Sequence, residues 1–428
     1  MNYKKFTLDN GLRVVFVPLP NLESATITVW VKTGSRNEEE KVNGVSHFLE
    51  HMVFKGSKKR PSTLEISQAV DAIGAEFNAA TSKDWTNFYI KASVGNLETG
   101  MDVLSDMVLN PLLKKEEIER EKGVIIEEIA MYEDTPMIKI GDVFEELMFA
   151  GSSLGWDVAG TADSVKRMAK SDFERHRESY YYPDNMLITV SGGVDEKEVR
   201  GLAEKYFGEL KAKSEERKGE PAFNKFSARQ AKPQVKLHPK KKEQAHLILG
   251  FLGHGRGYEG RFAEATLSAI LGGGMSSRLF IEVRERRGLA YAVKTSIDRY
   301  IDTGYLATYA GVDPKKIEEA VAVMLEQHYG ISNFQFPISK EELKKAKEYL
   351  KGHLALALED TKEVNDFTGL NELFLGKVET PEEIFDKVDS VTIENVVDAA
   401  KKLFRPERLN LAIIGPYKDG ERFRKLIE

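Results

Sequence analysis

The chain has no cysteine in 428 residues. That excludes disulfide staples, thiolate-held metals, iron–sulfur clusters and a cysteine nucleophile. Histidine is scarce, with eight in all: His47, His51, His176, His238, His246, His254, His328 and His353. Any protein-held metal must draw on these and on carboxylates. There is no basic excess either. The 62 Lys and Arg stand against 68 Asp and Glu, a balance of −6 that argues against a nucleic-acid partner. No run of about 18 apolar residues occurs, so no membrane-spanning helix is expected. The opening residues lack the apolar stretch of a signal peptide, and the expectation is a cytoplasmic protein.

What the chain does have is length for two or more domains and 41% hydrophobic residues to build their cores. Between Lys211 and Pro233 the composition shifts to seven Lys or Arg, three Glu, one Gly and two Pro. Such a stretch cannot bury itself and reads as a linker at 211–233, dividing a domain at 1–210 from one at 234–428. The halves look like repeats. Pro183 leads into an apolar strand that closes on Gly192, and Pro406 leads into another that closes on Gly415, 223 positions later. Each half also has an apolar strand followed by a Gly-containing loop and a helix, around Ile27–Val31 and His246–Leu252. Two tandem domains of one fold are expected.

Strands are expected at Arg13–Val17, Ala25–Lys32, Glu76–Thr81, Thr86–Ser93, Met186–Ser191, His246–Phe251, Gly304–Ala310 and Leu409–Ile414. Ser62 to Glu65 form a capping box for a helix over Thr63–Ile73 that stops at Gly74, and Leu113–Tyr132 forms an acidic amphipathic helix. Several strand pairs adjoin in sequence. The expected class is therefore α+β, with antiparallel-rich sheets packed by helices.

The chemistry concentrates at Ser46-His47-Phe48-Leu49-Glu50-His51. On a helix, His47 and His51 lie one turn apart on one face and can converge on one ion. Glu50 shares that face and can take a proton from bound water. By chance, H-x-x-E-H is expected on the order of 0.01–0.02 times in a chain of this composition, and the pattern is the inverted zincin signature. A hydrolytic zinc site needs a third protein ligand. The acidic helix offers Glu121, Glu127 and Glu128, and spacing alone does not choose among them. Gly253 to Gly257 lacks the spacing of a dinucleotide-binding loop, and Gly272-Gly273-Gly274 lacks the Gly-Lys-Ser/Thr of a phosphate-binding loop.

H-F-L-E-H, followed 77 residues after its last histidine by the second glutamate of E-x6-E, resembles the pitrilysin/insulinase (M16) family of zinc peptidases, which includes the mitochondrial processing peptidases. The resemblance runs over nearly the whole chain. It implies one zinc ion per chain held by His47, His51 and Glu128, with Glu50 as general base and Glu121 orienting a ligand histidine. Phe77-Asn78-Ala79-Ala80-Thr81-Ser82 is similar to the family's edge strand, on which a peptide adds as an extra strand through backbone contacts at Asn78, Ala79 and Ala80. Arg284 and Tyr291 match the family's Arg…Tyr pair, with Tyr291 donating to an oxyanion and Arg284 positioning Tyr291 or the substrate. In the second half, a shift of 223 puts Ile270, Gly273 and Gly274 where His47, Glu50 and His51 stand, so no metal site is expected there. The function implied is a zinc metalloendopeptidase acting on peptides or unfolded segments. Half-size members of the family pair up, and the expectation is a homodimer whose zinc sites are completed by Arg284 and Tyr291 of the partner chain. Two alternatives stand beside it: a catalytically silent structural subunit, and a zinc hydrolase of non-peptide amides.

Overall fold

The computed structural model describes residues 1–212, 226, 230 and 232–428. Most of the expected linker therefore lies outside the described residues. The chain divides into two compact units.

The first unit comprises Met1–Ala130, Trp156–Asn224 and Leu356–Thr380. Its sheet has six strands: β1 (Lys4–Thr7), β2 (Arg13–Pro18), β3 (Ser24–Val31), β4 (Glu76–Thr81), β5 (Thr86–Ser93) and β6 (Met186–Gly192). They lie in the order β1-β2-β6-β3-β5-β4. Only β2 and β6 run parallel; the other neighbours are antiparallel. Burial follows position. The central β6 is buried throughout, as its unbroken apolar and small residues require, whereas β4 alternates exposed and half-buried because nothing described pairs with its outer edge. One face of the sheet presents Ile27, Val29, Phe88, Ile90, Ile188 and Val190 to a core that includes Phe48, Leu49, Met52 and Val53. Each such side chain stabilises the fold by roughly 1.5–3 kcal/mol.

The other face carries buried Thr26, Thr28, Thr189 and Ser191. Hydroxyls in a buried layer need partners, and the helix Thr361–Leu375 provides them. Asn365 Nδ2 donates to the Thr26 carbonyl at 2.9 Å and to Thr28 Oγ1 at 3.1 Å. Thr26 and Thr361 share a hydroxyl contact at 2.7 Å, and Ser191 Oγ donates to the Thr361 carbonyl at 2.6 Å. The helix comes so close that a Cβ on Gly369 would lie 2.5 Å from the Trp30 ring.

The second unit comprises Met131–Gly155, Lys225–Ala355 and Pro381–Glu428. Its strands are β7 (Gln234–Pro239), β8 (Ala245–His254), β9 (Ala290–Arg299), β10 (Thr303–Val312) and β11 (Leu409–Gly415), ordered β7-β11-β8-β10-β9. Here too only the first pair, β7 and β11, is parallel. With β2 to β6 read as β7 to β11, the order and every strand direction match the first unit. The first unit has β1 in addition. The duplicated α+β fold expected from the sequence is thus an identity of topology. A helix closes one face of this sheet as well: Pro136–Met148 packs Ile140, Val143, Phe144 and Met148 over Ala307, Ala412 and Ile414.

The expected division at 1–210 and 234–428 needs correction on two segments. Residues 131–155 join the second unit, and residues 356–380 join the first. The cause is the closing helices. Pro136–Met148 and Thr361–Leu375 stand about one repeat apart, and each covers the sheet encoded by the other half of the chain. The division between domains is therefore not linear in sequence.

Candidate metal centre

The H-x-x-E-H segment forms the helix Val45–Val53. It starts at Gly44, whose φ of +95° and closeness to the Ala159 carbonyl (2.5 Å from a built Cβ) suit glycine alone. Glycine has no side chain with which to cap the helix. Glu38 serves instead: Oε2 accepts from the Gly44 N–H at 2.7 Å and from Asn43 Nδ2 at 2.9 Å, and Oε1 accepts from the Ser46 N–H at 2.8 Å. Glu38 is buried, and burial pushes its pKa up against the opposing pull of these hydrogen bonds. A carboxylate at a helix N-terminus also complements the helix dipole. The apolar side of the helix locks it down, with Phe48 edge-on to Phe173 at 4.8 Å between ring centres. His47, Glu50 and His51 are left on the half-buried side.

The helix Lys115–Asp134 brings Glu128 to the same place. Glu128 Oε2 lies 3.7 Å from His47 Nε2 and 3.5 Å from His51 Nε2, and the three donor atoms all fall within 4.8 Å of one another. Ligand bonds of about 2.0–2.2 Å place adjacent donors of a tetrahedral zinc site roughly 3.3–3.6 Å apart. The donor set fits such an ion with little adjustment. Glu127, one residue earlier, is exposed and does not belong to this group. Among the described residues this is the one group of three or more such donors that lies close enough to hold an ion.

The electrostatics at His47 suit a metal as well. Burial, and then the neighbouring His51, push the His47 pKa down to about 4, which leaves a neutral imidazole with a lone pair to give. His51 Nδ1 donates to Glu121 Oε1 at 2.9 Å, which turns Nε2 towards Glu128. Burial opposes the charged form of His51, but the Glu121 bond and the nearby carboxylates prevail and raise its pKa. Glu121 is buried yet held below the usual carboxylate range by His51 and Lys55, whose Nζ is 2.7 Å from Glu121 Oε2. Glu50 has its pKa raised, by burial first, and accepts a hydrogen bond from Thr81 Oγ1.

Thr81 ends β4, so the metal group and the edge strand are neighbours. Asn78 and Ala80 are exposed and Ala79 half-buried, with Asn78 Oδ1 accepting from the Ala79 N–H at 2.9 Å. Arg284 and Tyr291 belong to the second unit. Arg284 lies on the π-helix Phe280–Arg286, its guanidinium 4.7 Å from the Phe280 ring centre and 5.5 Å from that of Tyr291. Tyr291 is the second residue of β9 and is 77% exposed. Sequence reasoning missed Glu38 and Lys55 and gave Thr81 no role. Lys55 carried a signal, because it continues the His47–His51 face by another turn. Glu38 carried none, standing in an ordinary acidic run.

Residues 13–162 match the model of the insulinase family, peptidase family M16, and residues 167–350 match that of the peptidase M16 inactive domain. An uncharacterized zinc protease of Bacillus subtilis (strain 168) is 37% identical over 96% of this chain and 98% of its own length. The chain belongs to peptidase family M16. Another M16-like relative, an uncharacterized zinc protease of Streptomyces coelicolor, is 36% identical over 98% of this chain and 91% of its own. Two solved structures share the fold over nearly the whole chain. A protease from Helicobacter pylori superimposes with a TM-score of 0.89 at 24% identity, covering 97% of this chain and 100% of that one. A chain of complex III2 from Candida albicans does so with a TM-score of 0.83 at 20% identity, covering 99% of each.

Proposed function

We propose that this M16 chain is a zinc-dependent metalloendopeptidase, with one ion per chain held by His47, His51 and Glu128. The observation that carries the reading is the convergence of two imidazoles and one carboxylate at near-tetrahedral spacing beside a further, half-buried carboxylate. The naming of its relatives as zinc proteases supports it. A bound zinc ion would polarise the scissile carbonyl and lower the pKa of a water towards 7. Glu50 takes the proton of the attacking water and later gives it to the leaving amine. Glu121 keeps the His51 ring in one tautomer and orientation. The outer edge of β4, at Asn78, Ala79 and Ala80, takes the peptide as an added strand, which suits extended or unfolded substrates. Tyr291 donates to the oxyanion, and Arg284 orients Tyr291 by stacking against it.

The primary test is metal analysis combined with mass-spectrometric digestion of a peptide library. Glu50→Gln should retain zinc and lose hydrolysis by two orders of magnitude or more, since general-base catalysis supplies about 10²–10⁴-fold. Normal cleavage by that variant would remove Glu50 from its role. An intact chain that binds no zinc and cleaves nothing would favour a silent structural subunit, and cleavage confined to non-peptide amides would favour the other hydrolase reading. The reading extends to a cytoplasmic homodimer whose sites are completed in trans. Mixing Glu50→Gln chains with Tyr291→Phe chains, each inactive alone, should then restore part of the activity. Absence of recovery despite demonstrated subunit exchange would count against completion in trans. Among the described residues no helix is long and apolar enough to cross a membrane.

A further inference from the structure

We propose that Thr81 is a positioning residue for Glu50, so that the strand that receives the peptide also aims the base. The inference rests on Glu50 acting as the base. Side chains alternate along β4, and Phe77, Ala79 and Thr81 form its half-buried side. Phe77 and Ala79 pack against the core, with Phe77 5.4 Å from Phe54 just beyond the motif helix. On this side Thr81 is the one residue with a hydroxyl, and its Oγ1 donates to Glu50 Oε2. Their separation of 2.5 Å falls at the short end of the range for a hydroxyl bound to a carboxylate, about 2.5–2.7 Å. Among the described residues no other group hydrogen-bonds to Glu50. A carboxylate on a three-bond side chain turns freely unless something holds it. Here one oxygen is held and the other remains available to a water.

A misplacement of about 1 Å in a catalytic group can cost 10²-fold in rate. Thr81 lies in the same strand as Asn78, Ala79 and Ala80, so a shift of β4 moves the peptide-binding edge and the base together.

The test uses the full-length zinc-loaded protein and an internally quenched peptide chosen from those it cleaves. Thr81→Val keeps the β-branched shape and removes the donor; Thr81→Ser keeps the donor. Thr81→Val should lower kcat about 10–100-fold, with KM, zinc content and thermal midpoint near wild type, and Thr81→Ser should restore most of kcat. A Thr81→Val enzyme with unchanged kcat overturns the proposal, as does an equal loss in Thr81→Ser. Crystal structures of both variants give a second measurement independent of turnover. Glu50 should hold its wild-type orientation in Thr81→Ser and lose it in Thr81→Val; an unmoved Glu50 in Thr81→Val overturns the positioning role. Glu50→Gln, run in parallel, separates the two failures. If it remains active the base assignment falls, whatever Thr81 does.

Discussion

Glu121 lies between His51 and Lys55 and is shared by both. A buried carboxylate facing one imidazole alone would tend to take up a proton, because burial disfavours its charge. His51 and the ammonium of Lys55 together keep it ionised and able to accept from His51 Nδ1. Removing Lys55 should therefore loosen the metal, although Lys55 touches no candidate ligand. For Lys55→Met, zinc affinity measured by chelator competition should fall about tenfold, with Lys55→Arg closer to wild type. Outer partners of metal ligands typically matter by 10–100-fold. An unchanged affinity in Lys55→Met would leave the lysine a purely structural contact. This scale was also where the sequence was most uneven as a guide. His47, Glu50 and His51 are legible because helical periodicity alone brings them to one face. Glu128 could not be told from Glu127 by spacing; it took the orientation of a second helix. Glu38 was invisible, since its role depends on Gly44 lacking a side chain and on a turn that folds back over eight residues.

Among the elements, two helices show how one residue type can obey opposite rules. Glycine inside a helix normally costs about 1 kcal/mol relative to alanine. Gly352, exposed in the helix Lys340–Ala357 with open space where a Cβ would go, should follow that rule, and Gly352→Ala should stabilise by up to about 1 kcal/mol. Gly369 should break it. A Cβ there would meet the fully buried Trp30 ring at 2.5 Å, and the clash outweighs the propensity gain. Gly369→Ala should destabilise by about 1–3 kcal/mol. Urea midpoints of the two variants should move in opposite directions. All eight expected strands are present. Three more, β1, β7 and β9, were not foreseen. All three are sheet edges, where one side of the pairing is missing and polar residues are tolerated, so the apolar signal used to find strands is weakest there. The helices themselves could be found from periodicity, but nothing in an amphipathic pattern says which of two equivalent sheets it will cover.

For the whole molecule, acid sensitivity follows from what is buried uncharged. His328 is fully buried, donating from Nδ1 to the Met324 carbonyl at 2.6 Å and lying 3.1 Å from the Thr308 hydroxyl at Nε2. Burial lowers its pKa to about 4 from an ordinary 6.5. Between these values the unfolded chain takes up a proton that the folded chain refuses. The contribution is therefore complete above about pH 6.5 and is lost progressively as pH falls towards 4, by up to roughly 3 kcal/mol. His328→Asn retains a donor for the Met324 carbonyl and removes the titration. The stability difference between wild type and His328→Asn, read by urea unfolding, should shrink between pH 7 and pH 4.5; a constant difference would show that His328 does not titrate in this way.

The exchanged helices also set a timetable for synthesis. The sheet of the first unit is encoded by the time β6 ends at Gly192, yet the helix that satisfies Thr26, Thr28 and Ser191 ends only at Leu375. A ribosome adding about 5–20 residues per second needs on the order of 10–40 s to cover that interval. Throughout it the nascent sheet presents the hydroxyls of Thr26, Thr28 and Ser191 without the helix that bonds to them, and water takes that place. The N-terminal half made alone would remain permanently in that state. Coexpressing the C-terminal half as a separate polypeptide would be the way to release it.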